Sequence, residues 1–180
     1  MLRALFPYNY VEDVFVIDYQ KLYDKGFRAI IFDIDQTLVQ HGEEATPEVE
    51  DLFKTLQTIG FKTFILSNNS PERIEAFLTN INDTGFIGLA DKPRPDQYLS
   101  AIKQLSLPKE CIIFIGDQIF TDVLGANRVG IASILVKFLR HPHEINIGKK
   151  RKLESLFLKV YVKSKRYYNR LGTITKVREH

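Results

Sequence analysis

The sequence predicts an α/β fold, namely a doubly wound parallel sheet of about five strands with helices on both faces. Two observations lead to this class. Short apolar runs alternate with helix-forming segments along residues 29–138, and the links between them are short. Since strands that alternate with helices over short links build parallel sheets covered on both faces, no other arrangement fits this order as well.

The individual elements follow from local signals. Residues 29–32 form a continuous apolar run, which is typical of a strand buried on both faces. Further strands are predicted at residues 61–66, 86–90, 112–115 and 131–138. Thr46-Pro47 and Ser70-Pro71 are helix-start signals, and Gly60 ends the first of these helices. The other helices are predicted at residues 96–107 and 122–128.

Composition favours one globular domain. Of the 180 residues, 44% are hydrophobic and 26% are charged, which is ordinary for a globular protein. The single cysteine, Cys111, cannot form an internal disulfide and indicates a reducing compartment. No apolar stretch approaches the roughly 18 residues needed to cross a bilayer, and the first residues make a poor signal peptide. We therefore expect a cytoplasmic protein.

Charge divides the chain into two parts. Residues 1–136 carry 12 basic and 19 acidic side chains, a net charge of −7, whereas residues 137–180 carry 13 and 3, a net charge of +10. We predict a main domain at residues 1–148 and a basic amphipathic extension at 149–180, packed on or next to the same domain. A basic end on an acidic body suggests an anionic partner, which could be a membrane surface, a nucleic acid or a phosphorylated substrate.

Polar side chains follow four of the predicted strands, at the point where each strand ends. They are Asp33, Asp35 and Thr37 after the first strand, Ser67 and Asn68 after the second, Lys92 after the third, and Asp117 and Asp122 after the fourth. Because ligands of such sheets bind beyond the carboxyl ends of the strands, near the topological switch point, we expect these side chains to share one site.

Four of these side chains are carboxylates, and their mutual repulsion predicts a cation. Two unit charges 4 Å apart repel by about 4 kcal/mol at an effective dielectric near 20. A hard divalent cation relieves that repulsion, and oxygen ligands beside a phosphate site favour Mg²⁺. Lys92 adds a positive charge suited to a phosphoryl group. The predicted chemistry is phosphoryl transfer.

The stretch Asp33-Ile34-Asp35-Gln36-Thr37-Leu38-Val39 resembles the first motif, DxDxT, of phosphatases of the haloacid dehalogenase (HAD) superfamily. Ser67, Lys92 and Gly116-Asp117 with Asp122 resemble the second, third and fourth motifs. The four stand in order across residues 29–136, which makes the set far more specific than any one motif. The resemblance implies a HAD-like fold and a Mg²⁺-dependent phosphoric monoester hydrolase.

The resemblance also implies a role for each residue. Asp33 would be the nucleophile that forms an aspartyl-phosphate, and Asp35 the general acid and base. Asp33, Asp117 and the backbone carbonyl of Asp35 would hold the metal, and Asp122 would orient the metal ligands or Lys92. The phosphate-binding residues would be Thr37, Ser67, Asn68 and Lys92, with Thr37 also bracing its loop. Gln36 stands where asparagine or glycine is common, and no role is implied for it.

The spacing of the motifs leaves no room for a cap domain. One helix and one strand nearly fill the residues between Asp33 and Ser67, and the same holds between Ser67 and Lys92. An open site suits a phosphate on something large. The chain most resembles the subclass IIIA proteins of the YqeG family, related to phosphatidylglycerophosphate phosphatase, on Leu5-Phe6-Pro7-Tyr8-Asn9-Tyr10-Val11, the first motif, Lys92-Pro93-Arg94-Pro95 and residues 116–127. This implies a bacterial cytoplasmic phosphatase in phospholipid metabolism, with phosphatidylglycerophosphate as one candidate substrate.

The extension bears on the substrate. Its apolar residues recur at helical spacing, and its basic residues lie mostly elsewhere on the helix. The apolar residues are Leu153, Leu156, Phe157, Val160, Tyr161, Tyr168 and Leu171, and the basic ones are Lys152, Lys159, Lys163, Arg166 and Arg170. Such a helix could lie peripherally on an anionic membrane. It could equally pack on its own domain with a solvated basic face.

Two other functions remain open. One is a phosphatase of a protein or nucleic-acid phosphate, with which the run Lys165-Arg166-Tyr167-Tyr168 is compatible. The other is a non-catalytic module that binds RNA or protein. We interpret His41, beside the first motif, as an incidental loop histidine, and His141-Pro142-His143 as a loop without metal ligands around it.

Overall fold

The computed structural model describes residues 2–139 and 149–177, which form a six-stranded parallel sheet between layers of helices. In chain order the strands are β1 (Asn9–Val11), β2 (Ala29–Phe32), β3 (Lys62–Leu66), β4 (Thr84–Ile87), β5 (Ile112–Gly116) and β6 (Ala132–Val136). The predicted α/β class and parallel sheet are confirmed. The sheet gains the three-residue strand β1 at one edge, and β4 begins two residues earlier than predicted.

The described helices are α1 (Tyr19–Asp24), α2 (Pro47–Ile59), α3 (Pro71–Phe77), α4 (Pro95–Leu105), α5 (Leu124–Val129) and α6 (Lys149–Lys163). The helices α2, α3 and α4 begin within one residue of their predicted starts. The short helix α1 was not predicted, and α6 ends before Tyr168 and Leu171, which the helical spacing had assigned to the same helix. The Thr46 hydroxyl accepts the amide of Val49, and Gly60 ends α2 in a left-handed conformation with φ 108°. The helix predicted at residues 122–128 instead consists of a π-helical turn, Ile119–Val123, followed by α5.

The strand β2 shows how the sheet separates two cores. All four of its residues are buried. Ile30 and Phe32 pack into the core on the α1 and α2 side, whereas Ala29 and Ile31 pack into the core on the α4 and α5 side. Because successive side chains of a strand point to opposite faces, a continuous apolar run is what a strand covered on both faces requires.

The strand order places the switch point between β2 and β5. The sheet order is β1-β6-β5-β2-β3-β4, so the chain moves one way from β2 to β4 and then crosses back to β5. Phe32, the last residue of β2, is aligned with Ile115, the last but one of β5. Asp33 and Asp117 follow directly on from these strands and therefore emerge side by side.

Residues 33–92 are all described, and they contain no cap domain. Between Asp33 and Ser67 lie only the first-motif loop, α2 and β3, and between Ser67 and Lys92 only α3 and β4. No helix in the described part of the chain is both long enough and apolar enough to span a bilayer.

The described part of the extension lies against the main domain. Phe157 and Leu158 of α6 pack on a buried group that includes Ile119 and Leu135. Also on α6, Tyr161 is buried against Phe6. Ile174 joins the α1 and α2 core, and Thr175 forms an antiparallel bridge with Ile17. Residues 149–177 thus share their apolar contacts with the strands and helices before them.

Candidate active site

Asp33 begins the loop after β2, and backbone hydrogen bonds shape this loop. The Asp33 amide donates to the Ile115 carbonyl at 3.0 Å, which extends the β2–β5 pairing by one residue. The amides of Thr37 and Leu38 donate to the Ile34 carbonyl at 3.2 and 2.9 Å and close a turn. Because Ile34 and Leu38 are buried, the loop is fixed to the core. The Asp33 carboxylate is thereby held at the carboxyl edge of the sheet.

Lys92 joins two buried carboxylates. Its Nζ atom lies 2.9 Å from Asp33 Oδ1 and 2.8 Å from Asp122 Oδ1. Burial alone would lower the pKa of Lys92, but Asp122 and Asp33 raise it above its ordinary value. The Lys92 amide donates to Asn68 Oδ1 at 2.9 Å. Asn68, which we predicted to bind phosphate, therefore uses its side-chain oxygen to position Lys92.

Asp122 contacts Lys92 and a backbone amide of the loop after β5. Its Oδ1 accepts from Lys92, and its Oδ2 accepts the Gln118 amide at 3.0 Å. Both carboxylate oxygens therefore already have a hydrogen-bond donor. This geometry suits the predicted role of orienting Lys92.

Asp117 lies at the centre of a second group of contacts. The Thr37 hydroxyl, which is buried, lies 3.4 Å from Asp117 Oδ1. Arg151 of α6 pairs with Asp117 Oδ2 and also donates to the Asp117 carbonyl at 2.7 Å. Thr37, predicted both to bind phosphate and to brace its loop, thus has its side-chain contact with Asp117.

Asp35 has a separate set of partners. Asn69 Nδ2 donates to its Oδ2 at 2.9 Å, and the Gly42 amide donates to its Oδ1 at 3.2 Å. His41 Nδ1 lies 3.0 Å from Oδ2, and Arg73 Nη2 lies 3.7 Å from Oδ1. The Asp35 side chain is thus held on several sides. His41, which we interpreted as an incidental loop histidine, is one of the residues that contact it.

One cavity connects these groups. Its volume is about 320 Å³, and it is lined by Asp33, Asp35, Gln36, His41, Ser67, Asn68, Asn69, Lys92, Gln118 and Thr121. Ser67 lies on its wall because its amide donates to the Ile87 carbonyl at 3.1 Å, which carries the pairing of β3 with β4 to the strand end. The nucleophile, the acid and three of the four phosphate-binding residues predicted from the sequence therefore face one cavity.

The carboxylates of Asp33, Asp117 and Asp122 form a group that can hold a cation. Each places an oxygen within 4.8 Å of the others. Burial raises the pKa of Asp33 to about 6, with Lys92 opposing and Asp122 adding to the shift. Burial also raises the pKa of Asp117 to about 7; Asp122 adds to this shift and Arg151 opposes it. Ionising these neighbouring buried carboxyl groups costs free energy unless a positive charge is close to them. Their oxygens are therefore suited to bind a divalent cation.

The motifs missed several residues that contact this site, among them Arg151, Asn69 and Arg73. Arg151 lies in the basic extension, and nothing in the sequence distinguishes it from its neighbours Lys149, Lys150 and Lys152. Asn69 directly follows the predicted Asn68 and could have been included as a polar residue of the same strand end. The histidines at 141 and 143 lie outside the described residues.

The fold and this site together define the class of protein. A parallel sheet whose switch point carries an aspartate, a second aspartate two residues on, a lysine and a buried acidic group is the framework of a phosphatase. The family model of haloacid dehalogenase-like hydrolases matches residues 39–130, a stretch that includes Ser67, Lys92, Asp117 and Asp122. The chain belongs to this family.

Comparisons with individual proteins agree. The chain is 38% identical over 138 residues to "Probable phosphatase YqeG" of Bacillus subtilis, a match that covers 76% of this chain and 80% of that protein. A crystal structure from Listeria monocytogenes superposes with a TM-score of 0.55 at 18% identity, covering 74% of this chain and 98% of the other. A HAD phosphatase of Thermococcus onnurineus superposes with a TM-score of 0.52 at 16% identity, covering 68% and 90%. The two structures show a shared fold.

Proposed function

We propose that this phosphatase hydrolyses phosphomonoesters through a phosphorylated Asp33, with Mg²⁺ as its cofactor. The observation that carries the proposal is the placement of Asp33. Its Oδ1 is held by Lys92 at 2.9 Å, its carboxylate lies within 4.8 Å of Asp117, and it lines the same cavity as Asp35. The proposed nucleophile, phosphate-binding cation and proton donor thus line one cavity, and the proposed metal ligand Asp117 lies next to the nucleophile.

The first step uses Asp33 and Asp35. A carboxylate oxygen of Asp33 bonds to phosphorus while the bond from phosphorus to the bridging oxygen of the ester breaks. Asp35 supplies the proton that this leaving oxygen takes up. In the second step water attacks the phosphorus, its proton passes to Asp35, and Asp33 is released as a carboxylate. The proton balance of Asp35 is restored after each turnover.

The charges around Asp33 favour the reaction. Lys92 binds oxygens of the phosphoryl group and lowers the repulsion that they would meet at the Asp33 carboxylate. Ser67 lines the same cavity and contributes a hydroxyl to those oxygens. Mg²⁺ held by Asp33 and Asp117, together with the Asp35 carbonyl, would supply positive charge that keeps both carboxylates ionised and stabilises the transferred group.

Phosphate release with and without the cation tests this mechanism. We would assay p-nitrophenyl phosphate with Mg²⁺ or with EDTA, for the natural chain and for Asp33→Asn. Asp96→Asn is the matched control, because Asp96 is an exposed aspartate on α4. We expect turnover to be lost in EDTA and in Asp33→Asn and kept in Asp96→Asn. Activity that survives in Asp33→Asn would exclude an aspartyl-phosphate at this residue.

For the substrate we propose a phosphate carried at a membrane surface, with phosphatidylglycerophosphate as the specific candidate. The outer face of α6 supports this. Leu153, Leu156 and Val160 share one side of the helix and are 48%, 57% and 53% exposed. The neighbouring side carries the exposed side chains of Lys152, Lys159 and Lys163. An apolar stripe beside a row of lysines suits peripheral contact with an anionic bilayer, where each lysine contributes about 1 kcal/mol.

We call this surface the α6 stripe, and it belongs to the helix that supplies Arg151, which contacts Asp117. Binding of α6 to a bilayer would hold the whole domain at the lipid surface, where the headgroup phosphates are. The open, uncapped cavity is compatible with such a substrate.

Vesicle binding tests the α6 stripe. We expect the full chain to co-sediment with phosphatidylglycerol vesicles at low salt, more weakly at moderate salt, and little with phosphatidylcholine. The double variant Leu156→Gln, Val160→Gln should lose most of this binding. Leu99→Gln should not, although Leu99 is 53% exposed on α4. Equal pelleting of both variants would overturn the membrane proposal and leave the phosphatase proposal untouched.

A phosphate on a protein or a nucleic acid is the second candidate substrate. The phosphate-release assay distinguishes it from the lipid. The aromatic residues that could stack on bases are engaged within the chain, since Tyr167 stacks on Phe6 and Tyr168 lies against Tyr161. This favours the lipid. A clear preference for phosphopeptide or 5′-phosphorylated RNA over dispersed phosphatidylglycerophosphate would reverse the choice. A chain inactive on all of them but binding RNA with steep salt dependence would be a non-catalytic module.

A further inference from the structure

Arg151 links the first and fourth motifs from outside both of them. Its guanidinium donates to the Asp117 carbonyl at 2.7 Å and to Gln36 Oε1 at 2.8 Å, and it pairs with Asp117 Oδ2. Arg151 belongs to the first turn of α6, so the C-terminal helix supplies a side chain that contacts two residues of the site. Gln36 adopts a left-handed conformation with φ 62° and receives this guanidinium on its side-chain oxygen.

Several contacts fix Arg151 in this position. Its Nη1 lies 3.1 Å from Glu154 Oε2, and Glu154 is itself buried, with Oε1 accepting the Ile119 amide at 2.9 Å. The guanidinium also lies over the ring of Phe138, 4.6 Å from its centroid. One turn further along α6, Phe157 meets Phe120 edge to face. The Arg151 guanidinium is thus held at once by a carboxylate, a side-chain amide and an aromatic ring, which fix its orientation.

The charge count of the site shows what this cation changes. Four buried carboxylates, those of Asp33, Asp117, Asp122 and Glu154, lie around two cations, Lys92 and Arg151. With all of them ionised, these groups sum to −2 with Arg151 and to −3 without it. A more negative site binds a divalent cation more tightly and a phosphate anion more weakly. Arg151 therefore acts on metal and phosphate affinity with opposite signs.

We propose that Arg151 is a positioning residue that holds Asp117 through its Oδ2 atom and tunes the site toward weaker metal binding and tighter phosphate binding. This inference rests on the proposed function of the same site. The pairing leaves Asp117 Oδ1, which faces the Thr37 hydroxyl at 3.4 Å, as the oxygen directed away from the guanidinium. A phosphatase must bind its metal firmly and still release phosphate after each turnover. A fixed cation such as Arg151 affects both affinities.

Binding measurements on the full chain, without turnover, test the inference. Titration calorimetry gives the affinity for Mn²⁺ alone, and then for inorganic phosphate at saturating Mg²⁺. We expect Arg151→Gln to bind Mn²⁺ on the order of tenfold more tightly and phosphate on the order of tenfold more weakly, because a unit charge is lost within one hydrogen bond of the Asp117 carboxylate. Arg151→Lys should restore most of both affinities, since it returns the charge without the planar fork.

Controls separate this role from a structural one. Arg128→Gln removes the same charge from an exposed residue at the end of α5 and should change neither affinity. A guanidinium that only supports the fold would give weaker binding of both ligands in Arg151→Gln, with no rescue by lysine. That result, or two unchanged affinities, would overturn the inference. If the natural chain itself bound no Mn²⁺, the proposed function would fail as well, whereas Mg²⁺-dependent turnover with unshifted Arg151 variants would sink this inference alone.

Discussion

A Cβ atom placed on Gly116 would lie 2.6 Å from the Cγ atom of Asp122. Gly116 is the last residue of β5, and the buried Asp122 carboxylate lies directly against its backbone. Asp122 in turn holds Lys92 at 2.8 Å, and Lys92 reaches Asp33 at 2.9 Å. Because Gly116 has no side chain, there is room for the Asp122 carboxylate beside its backbone. Asp122 can then contact Lys92, which in turn contacts Asp33.

We expect Gly116→Ala to damage the site more than the fold. The new methyl group must displace Asp122, and Lys92 then loses its second carboxylate. Overpacking of this kind costs about 1–3 kcal/mol in the free energy of unfolding. The loss of kcat should be larger in proportion, about a hundredfold, because Lys92 is moved from its proposed position beside the phosphoryl group. Steady-state kinetics and thermal melts on the same samples check both values.

Gly85→Ala provides the matched control. Gly85 lies on β4, and its added Cβ atom would lie 2.7 Å from the ring of Phe64, away from the catalytic side chains. Its stability should fall by a similar amount while kcat stays within about threefold of the natural value. Equal losses of kcat in the two variants would mean that the close packing at Gly116 has no special relation to catalysis.

The buried carboxylates predict how stability depends on pH. In the absence of metal the pKa values of Asp33 and Asp117 are raised by burial to about 6 and about 7, from an ordinary value of 3.8. Between pH 3.8 and these values the folded chain holds protons that the unfolded chain has released. The free energy of unfolding contributed by these two groups therefore falls as pH rises through this range.

Thermal melts in EDTA from pH 4 to pH 8 check this sign. The melting temperature of Asp117→Asn should fall less steeply with pH than that of the natural chain, because one of the two raised carboxyls is gone. With Mg²⁺ present, the cation competes with the protons, and the stabilisation that it gives should increase from pH 5 to pH 8. Parallel EDTA curves for the two proteins would contradict the assigned shift at Asp117.

Local signals were enough to predict the central part of the fold. The runs at residues 29–32 and 112–115 are apolar because both faces of β2 and β5 are covered, and proline after a capping Thr46 or Ser70 starts α2 and α3 where expected. The strand β1 was missed because three residues carry too little pattern. Its place depends on pairing with β6, which is distant in sequence.

The candidate site was predictable to the extent that it follows strand ends. Asp33, Ser67 and Asp117 were found because parallel strands bring their carboxyl ends together. The contact of Arg151 with Asp117 was not, because 34 residues separate them and only the packing of α6 on the domain brings them together. Thr37 shows a related limit, since sequence gives the residue at a loop position but not which neighbour its hydroxyl reaches.

Asn69 should matter for proton transfer because of its contact with Asp35. Its side-chain Nδ2 atom donates to Asp35 Oδ2 at 2.9 Å, and its backbone amide donates to Ser67 Oγ at 3.3 Å. Asn69→Ala removes the donor that orients the proposed acid. We expect kcat to fall about tenfold with KM little changed, because a misdirected proton donor affects the transition state more than binding.

The leaving group separates this role from a general disturbance of the loop. An alkyl phosphate needs its leaving oxygen protonated, whereas p-nitrophenolate leaves without help, so the Asn69→Ala defect should be several-fold larger on the alkyl ester. Asn80→Ala is the control, since Asn80 Nδ2 makes the same kind of contact, 2.8 Å to Glu50 Oε1, on the exposed surface. It should leave both rates unchanged. An Asn69→Ala defect of equal size on both substrates would mean that Asn69 acts on the site through something other than the orientation of Asp35.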